Sequence, residues 1–496
     1  MTHETKTDSS TKFTKDILWV GLSQILIYLF GFFTLPALTK NFGAETYGLW
    51  AQIGVTVGLL NPILTLHLGT ATVRYLSAEN RKEKLSQAFS NMFWLIVLIV
   101  LITIAAAFLL KNDLSILLFK SNVYDVFVIL TFIWAGTGAL FAFLIAYLRS
   151  KGKIKELSFI NILCYSFKFI PLVVLAFLHF PLWFIVIVQI SVEFIFILSL
   201  FGSITKKVGF RKPSTANLKK YLSFSIPQIP SGALLWIIDS SDRYFTTSYL
   251  GLSQTGIYSA SYSIGSLVSM FYVPISFVIF PVISSFWEMG KVPSVKKYLE
   301  YSTKIFLFFG VPGSAGLYIL SKPLLQILTT SEFLAGGGTL TLLIALSTLF
   351  LGIYQINLYI ICLIEKTKFM PFIVGLSAVT NIVLNMLLIP RMGIMGAAIS
   401  TIVSYAALSL IVLIWAKKRV NYRFDFVFLF KIVLASILMV IVIGILPLKG
   451  ILNIIIAVVV GIAIYLVSVL ALKTLSKKEK KFVHGFIMGI KDQIFH

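Results

Sequence analysis

Apolar runs long enough to cross a membrane recur along almost the whole chain, separated by short loops that carry most of its positive charge. Inside a bilayer no water satisfies the backbone, so a run of ~20 apolar residues reads as a spanning helix. Fourteen such runs begin near residues 17, 47, 91, 124, 157, 181, 221, 255, 302, 338, 370, 394, 427 and 451. Hydrophobic residues make up 58% of the sequence and charged ones 12%, which excludes a soluble domain. The expected fold class is an all-α integral membrane protein of about fourteen transmembrane helices.

The formal charge of +23 does not point to nucleic acid, because the Lys and Arg residues sit in loops between apolar runs rather than on a polar domain. With the N-terminus in the cytoplasm, 34 of the 42 Lys and Arg residues fall on the inner side. The other eight, Lys40, Lys111, Lys120, Lys168, Arg243, Lys322, Arg391 and Lys449, lie outside or within spans. This bias places both termini in the cytoplasm of a multi-pass protein of the cytoplasmic (inner) membrane. The run after the polar first fifteen residues is too long for a signal-peptide core, so it is expected to be retained. Residues 73–90 mix apolar and charged side chains like a helix lying on the membrane. Residues 476–496 place Phe482, Phe486, Ile490 and Ile494 at four-residue spacing, either as an amphipathic cytoplasmic tail or as a solvated charged one.

A short repeat organises the spans. Gly43-Ala-Glu-Thr-Tyr-Gly48-Leu-Trp50 opens the second run and Gly251-Leu-Ser-Gln-Thr-Gly256-Ile-Tyr258 opens the eighth. Six spans separate them, so the expectation is two parallel six-helix lobes related by a pseudo-two-fold axis along the membrane normal. The lobes would be 1–205 and 206–425, with two further helices at 426–475.

Signatures of covalent chemistry are missing: the sequence has no phosphate loop, no H-E-x-x-H, no G-x-S-x-G and no C-x-x-C. Its histidines are scattered, and Cys164 and Cys362 lie inside apolar runs, so neither a metal site nor a disulfide framework is supported. No enzyme and no cofactor is expected. The outer segments are too short for the catalytic loops of a membrane enzyme of glycan assembly.

Charge within the spans is the remaining signal, since ionisable groups there usually face a protein interior or a wet cavity. Lys168 and Glu193 lie near the middle of two antiparallel runs, where they either neutralise each other or serve a substrate or a proton. Asp239, Asp242 and Arg243 follow at i, i+3 and i+4, one turn beyond Trp236, and form either a salt bridge near the outer face or an anion and coupling-cation site. Pro227 and Pro230 interrupt the start of the same run and serve as a hinge. Lys15, Arg74, Lys219 and Lys220 stand at the cytoplasmic ends of the first, second and seventh runs, where topology alone would also place cations.

The segments IPQIPSGALLWIIDSSDRYF, LGLSQTGIYSASYSIG, FGAETYGLW and NIVLNMLLIPRMGIMGAAISTIVSY (Asn381 to Tyr405) resemble the Wzx-type polysaccharide flippases. These belong to a superfamily that also holds the MATE drug exporters and the lipid II flippase. The resemblance spans roughly residues 10 to 475. It implies a two-lobed transporter that moves oligosaccharide linked to undecaprenyl pyrophosphate from the inner to the outer leaflet by alternating access, with a cavity between helices one, two, seven and eight. The implied partners are the lipid-linked oligosaccharide, membrane lipids, a coupling H+ or Na+, and polysaccharide-assembly proteins. Lys15, Arg74, Lys219 and Lys220 would receive the diphosphate inside and Arg243 would release it outside. Few arginines lie deep in the first two spans, which shifts the expected head-group site toward Lys168 or Arg243. The same fold would also suit a drug/cation antiporter, whose cavity should be acidic rather than basic.

Overall fold

The computed structural model describes residues 4–474 except 78, 80, 216, 365, 367 and 368, with side chains from residue 19 onward save 277 and 278. The expected tail at 476–496 lies outside the described residues. The regular elements among the described residues are helices: α1 Glu4–Leu64, α2 Leu68–Leu76, α3 Lys82–Leu109, α4 Lys111–Phe119, α5 Asp125–Ser150, α6 Ile154–Phe177, α7 Leu182–Val208, α8 Leu218–Ser225, α9 Ile229–Gly265, α10 Ser269–Glu288, α11 Val292–Leu328, α12 Thr339–Asn357, α13 Tyr359–Leu363, α14 Met370–Met392, α15 Ile394–Val420, α16 Phe426–Ile445 and α17 Ile451–Ala471.

Among the described residues twelve helical segments are long and apolar enough to cross a membrane, so this is a multi-pass membrane protein. The difference from the fourteen runs lies in two of them, Trp19–Leu64 with 46 residues and Leu218–Glu288 with 71. At ~1.5 Å per residue the shorter extends ~69 Å, more than twice a ~30 Å hydrocarbon core. Each holds a break where the sequence repeat begins: Gly43 (φ 76°, ψ −176°) and Gly251 (φ 86°, ψ 174°) leave the helical region in nearly the same way. Only glycine takes such a conformation without a Cβ penalty. Residues 73–90 also differ from the expectation of one surface helix. Helix α2 stops at Leu76, the chain at Arg81 is extended, and α3 starts at Lys82 and runs into the apolar stretch that ends at Leu109.

Contacts divide the chain into two compact units. One comprises Leu22–Ser259 with Val374–Ala397. Its core packs α3, α5 and α7 through aromatic rings, with Phe93 on Phe201 at 4.6 Å and Phe89 on Tyr147 at 5.2 Å and on Phe143 at 5.5 Å. The repeated motifs meet inside this unit. A Cβ on Gly48 would lie 1.9 Å from the Leu252 carbonyl oxygen, and one on Gly256 would lie 2.0 Å from that of Ala44. Each glycine thus makes room for the backbone of the other motif.

Of the described residues, the other unit comprises 4–21, Ala260–Ile373 and 398–474. Here α11, α16 and α17 pack closely, with Ile443 lying against Gly461 and the Tyr465 hydroxyl donating to the Phe308 carbonyl at 2.8 Å. The outward faces of α16 and α17 stay apolar: Phe430, Ile441, Ile445, Val459 and Val467 are all exposed, as a lipid-facing surface requires.

Candidate functional site

The prolines shape α9 before its charges matter. Pro227 lies in a single 3-10 turn, Ile226–Gln228, and Pro230 falls in the first turn of α9. Proline is tolerated there because the N–H it lacks would have no helical partner. One apolar run is thereby divided into α8 and α9.

About three turns further on, charge is buried. Asp242 is fully buried and Arg243 is 7% exposed. The Tyr258 hydroxyl and Asp242 Oδ2 are hydrogen-bonded, and Arg243 N–H donates to Asp242 Oδ1 at 2.8 Å. Arg243 Nη1 lies 3.5 Å from that oxygen and donates to the Asp239 carbonyl oxygen at 3.1 Å. Asp239 is half-buried and accepts from the Ser240 hydroxyl at 3.3 Å. The three residues named from the sequence are therefore brought together, with Tyr258 of the second motif closing the cluster. Such pairing is how a charge avoids the several kcal/mol that an uncompensated ion costs in a low-dielectric interior.

The surroundings are polar too. Tyr244 and Thr56 share a hydrogen bond of 2.6 Å between their hydroxyls, and Trp236 Nε1 donates to the Val55 carbonyl at 3.1 Å. From α14, Asn381 Oδ1 accepts from the Ser241 hydroxyl at 3.0 Å and from Asn385 Nδ2 at 2.9 Å, and both asparagines are fully buried. Sequence reasoning missed these two side chains. Their signal is a pair of amides four residues apart inside an otherwise apolar run. Among the described residues no cluster of three or more His, Cys, Asp and Glu side chains is arranged to hold a metal.

Lys168 and Glu193 form a separate site. Lys168 Nζ lies 2.7 Å from Glu193 Oε1, with side chains 12% and 7% exposed, and Thr137 donates to Glu193 Oε2 at 2.8 Å. Gln189 Nε2 donates to the Lys168 carbonyl at 2.9 Å. The carboxylate is thus engaged on both oxygens, by α6 on one and α5 on the other. Trp134 and Tyr165 flank the ammonium, each ring centroid 5.8 Å away.

The remaining cations gather where α2 meets α8. The Arg74 guanidinium stands 4.2 Å from the Phe224 ring centroid, and Lys220 Nζ 4.7 Å from that of Tyr75. Lys219 is exposed on the same helix as Lys220. None of these three makes an ion pair among the described residues. The end of α2 is held by Lys151, whose Nζ donates to the carbonyls of Leu76 at 2.7 Å and Glu79 at 3.0 Å. Burial pushes the Lys151 ammonium below its ordinary pKa. The Lys15 side chain lies outside the described ones.

Comparison with known proteins agrees with this architecture. A family model described as "Polysaccharide biosynthesis protein" matches residues 13–287, and the MatE model matches residues 227–387. The "probable low-salt glycan biosynthesis flippase" of Haloferax volcanii is 21% identical over 218 residues, which cover 44% of this chain and 46% of that protein. The chain spans about half the length of the curated relatives it matches. The structure of the lipid II flippase MurJ in an inward closed conformation superposes with a TM-score of 0.74 at 20% identity, covering 91% of this chain and 98% of that one. An inward-facing multidrug resistance MATE family transporter superposes with a TM-score of 0.67 at 13% identity, covering 82% and 98%. At these identities the likeness establishes the fold alone, and that fold is of the MATE and MurJ type. With the family match extending over more than half its length, the chain belongs to the polysaccharide biosynthesis protein family, within the MATE-like transporter superfamily.

Proposed function

We propose that this protein is a flippase that moves oligosaccharide linked to undecaprenyl pyrophosphate from the inner to the outer leaflet by alternating access. The observation that carries the reading is the group of cations at α2 and α8. Arg74, Lys219 and Lys220 make no ion pair among the described residues, and Tyr75 and Phe224 stand beside them. Guanidinium and ammonium groups suit a diphosphate, and aromatic faces suit the apolar faces of a sugar. The polyprenyl tail can stay in lipid while the head group moves through a polar path.

In this reading the chain crosses the membrane fourteen times, with the crossings merged at Gly43 and Gly251 counted separately, and both termini face the cytoplasm. The lobes are 1–205 and 206–425, with two added helices at 426–475. Lys15 joins the receiving cations at the inner face. The Asp239, Asp242 and Arg243 cluster closes the outer end of the path, and Asp242 is the carboxylate that a coupling H+ or Na+ would use. Pro227 and Pro230 let the helix bend between states.

The test is removal of the gene from its host. Lipid-linked oligosaccharide should then accumulate unflipped. Normal glycan export, with no second flippase present, would sink the proposal. A drug antiporter is the alternative that the MatE match brings in. It predicts drug hypersensitivity of the deletion strain with intact glycan export.

A further inference from the structure

The segment between α7 and α8 is where a transporter of two lobes would be expected to flex, and here it is tied down. Gly209 ends α7 at φ 90° and ψ 163°, a conformation that only glycine takes without a Cβ penalty. The residues after it lie across α3. Arg211 N–H donates to the Ser90 hydroxyl oxygen at 2.9 Å, and Ser214 N–H donates to Asn91 Oδ1 at 2.8 Å. Gln87 Nε2 donates to the same Asn91 oxygen at 2.8 Å and to the Lys212 carbonyl at 3.1 Å. Ser90 and Asn91 are buried, where a hydroxyl or an amide is costly unless it is hydrogen-bonded, and the backbone of the strap supplies the bonding. Phe210 seats its ring among those of Phe201, Trp94 and Phe93, at 5.0, 5.7 and 6.0 Å between centroids.

Helix α8 is held from the other side. Tyr221 is buried in the same apolar core as Leu76 and Phe89, and the Tyr75 ring lies 5.5 Å from that of Tyr221 and 5.7 Å from that of Phe224. The restraint stops at Ser225. Ile226, Pro227 and Pro230 are exposed, and neither proline has an N–H to donate to the turn before it. We propose that residues 209–225 move with α2 and α3 as part of the first lobe, clasped by Gln87, Ser90 and Asn91, and that bending between the lobes is confined to residues 226–230. The first lobe then ends mechanically at the proline turn and not at residue 205. This goes beyond the flippase reading and holds whatever cargo the chain moves.

The test uses the full chain with Cys164→Ala and Cys362→Ala in proteoliposomes. Distances between two spin labels are read by double electron–electron resonance, with and without an imposed proton or sodium gradient. Labels at the exposed positions Lys84→Cys and Ser223→Cys span α3 to α8, and labels at Ser223→Cys and Ser248→Cys span the proline turn. The first distance should stay single and fixed, whereas the second should split or shift by about 5 Å or more, one helical turn. A first distance that shifts, or a second that stays single and fixed, overturns the proposal. Ser90→Ala with Asn91→Ala should speed amide exchange over residues 209–215 about tenfold or more and let the first distance spread, with the unfolding midpoint reporting that the chain is folded. If that double variant does not fold, Gln87→Ala, which removes only the Gln87 bonds, is read in its place. Unchanged exchange in the folded variant would show that these side chains do not clasp the strap, and overturns the proposal as well.

Discussion

Gly48 and Gly256 occupy the same position in two copies of one motif, and each lies against the backbone of the other copy, at Leu252 and Ala44 respectively. Alanine is worth up to ~1 kcal/mol more than glycine inside a helix, so propensity alone predicts that Gly48→Ala and Gly256→Ala stabilise. The contact predicts the opposite. A methyl group 1.9 or 2.0 Å from a carbonyl oxygen must force the helices apart, and overpacking of that kind costs ~1–3 kcal/mol. The unfolding midpoint of either variant in detergent should fall below that of the wild type. An unchanged or raised midpoint would show that this close approach does not hold the fold.

Lys168 and Glu193 invite a different experiment, because removing one ion and removing both have different consequences. Glu193→Ala leaves the buried ammonium without its counter-ion, a loss of about 3 kcal/mol or more, while the Thr137 hydroxyl keeps the Trp134 carbonyl as an acceptor at 3.0 Å. Replacing both by apolar residues of similar size, Lys168→Met with Glu193→Leu, should recover most of that stability, and transport with it. Recovered stability with transport still absent would give the pair a role in moving cargo or protons.

These cases show what the sequence could convey. Lys168 and Glu193 could be matched because each lies mid-run on neighbouring antiparallel spans, so depth alone set them level. Asp242 and Arg243 were legible as costly groups in an apolar stretch. Their enclosure by Tyr258 was not, since it depends on how the helix continues beyond Gly251. The repeat was visible as two Gly-x4-Gly strings, but no pattern reveals that the strings touch. Among the described residues the helical segments long and apolar enough to cross a membrane number twelve rather than fourteen for a related reason. A single glycine carries the chain from one run to the next where a loop would have marked the boundary.

Arg243 both offsets Asp242 and donates to the Asp239 carbonyl. Lysine keeps the charge and loses the fork, whereas alanine loses both and strands a buried carboxylate. Transport by Arg243→Ala should therefore fall further than by Arg243→Lys, measured as lipid-linked oligosaccharide reaching the outer leaflet at matched expression. Wild-type transport in Arg243→Ala would remove this residue from the path.

Asp425 gives a pH dependence whose sign can be worked out. Its Oδ1 accepts from the Phe428 N–H at 2.9 Å, capping α16, and its Oδ2 lies 2.7 Å from Lys304 Nζ. Burial pushes the carboxyl pKa up, but the Lys304 ammonium and the backbone donors outweigh it and hold it below the ordinary carboxylate value. A carboxyl with a depressed folded-state pKa contributes stability that is present above its unfolded value of ~3.9 and is lost as pH falls through the folded one. At neutral pH, Asp425→Ala should cost ~1 kcal/mol as a lost helix cap. Acidification through the carboxylate range should then narrow the gap between the unfolding midpoints of the wild type and the variant. A gap that is constant with pH would mean that the cap works through the shape of the side chain rather than through its charge.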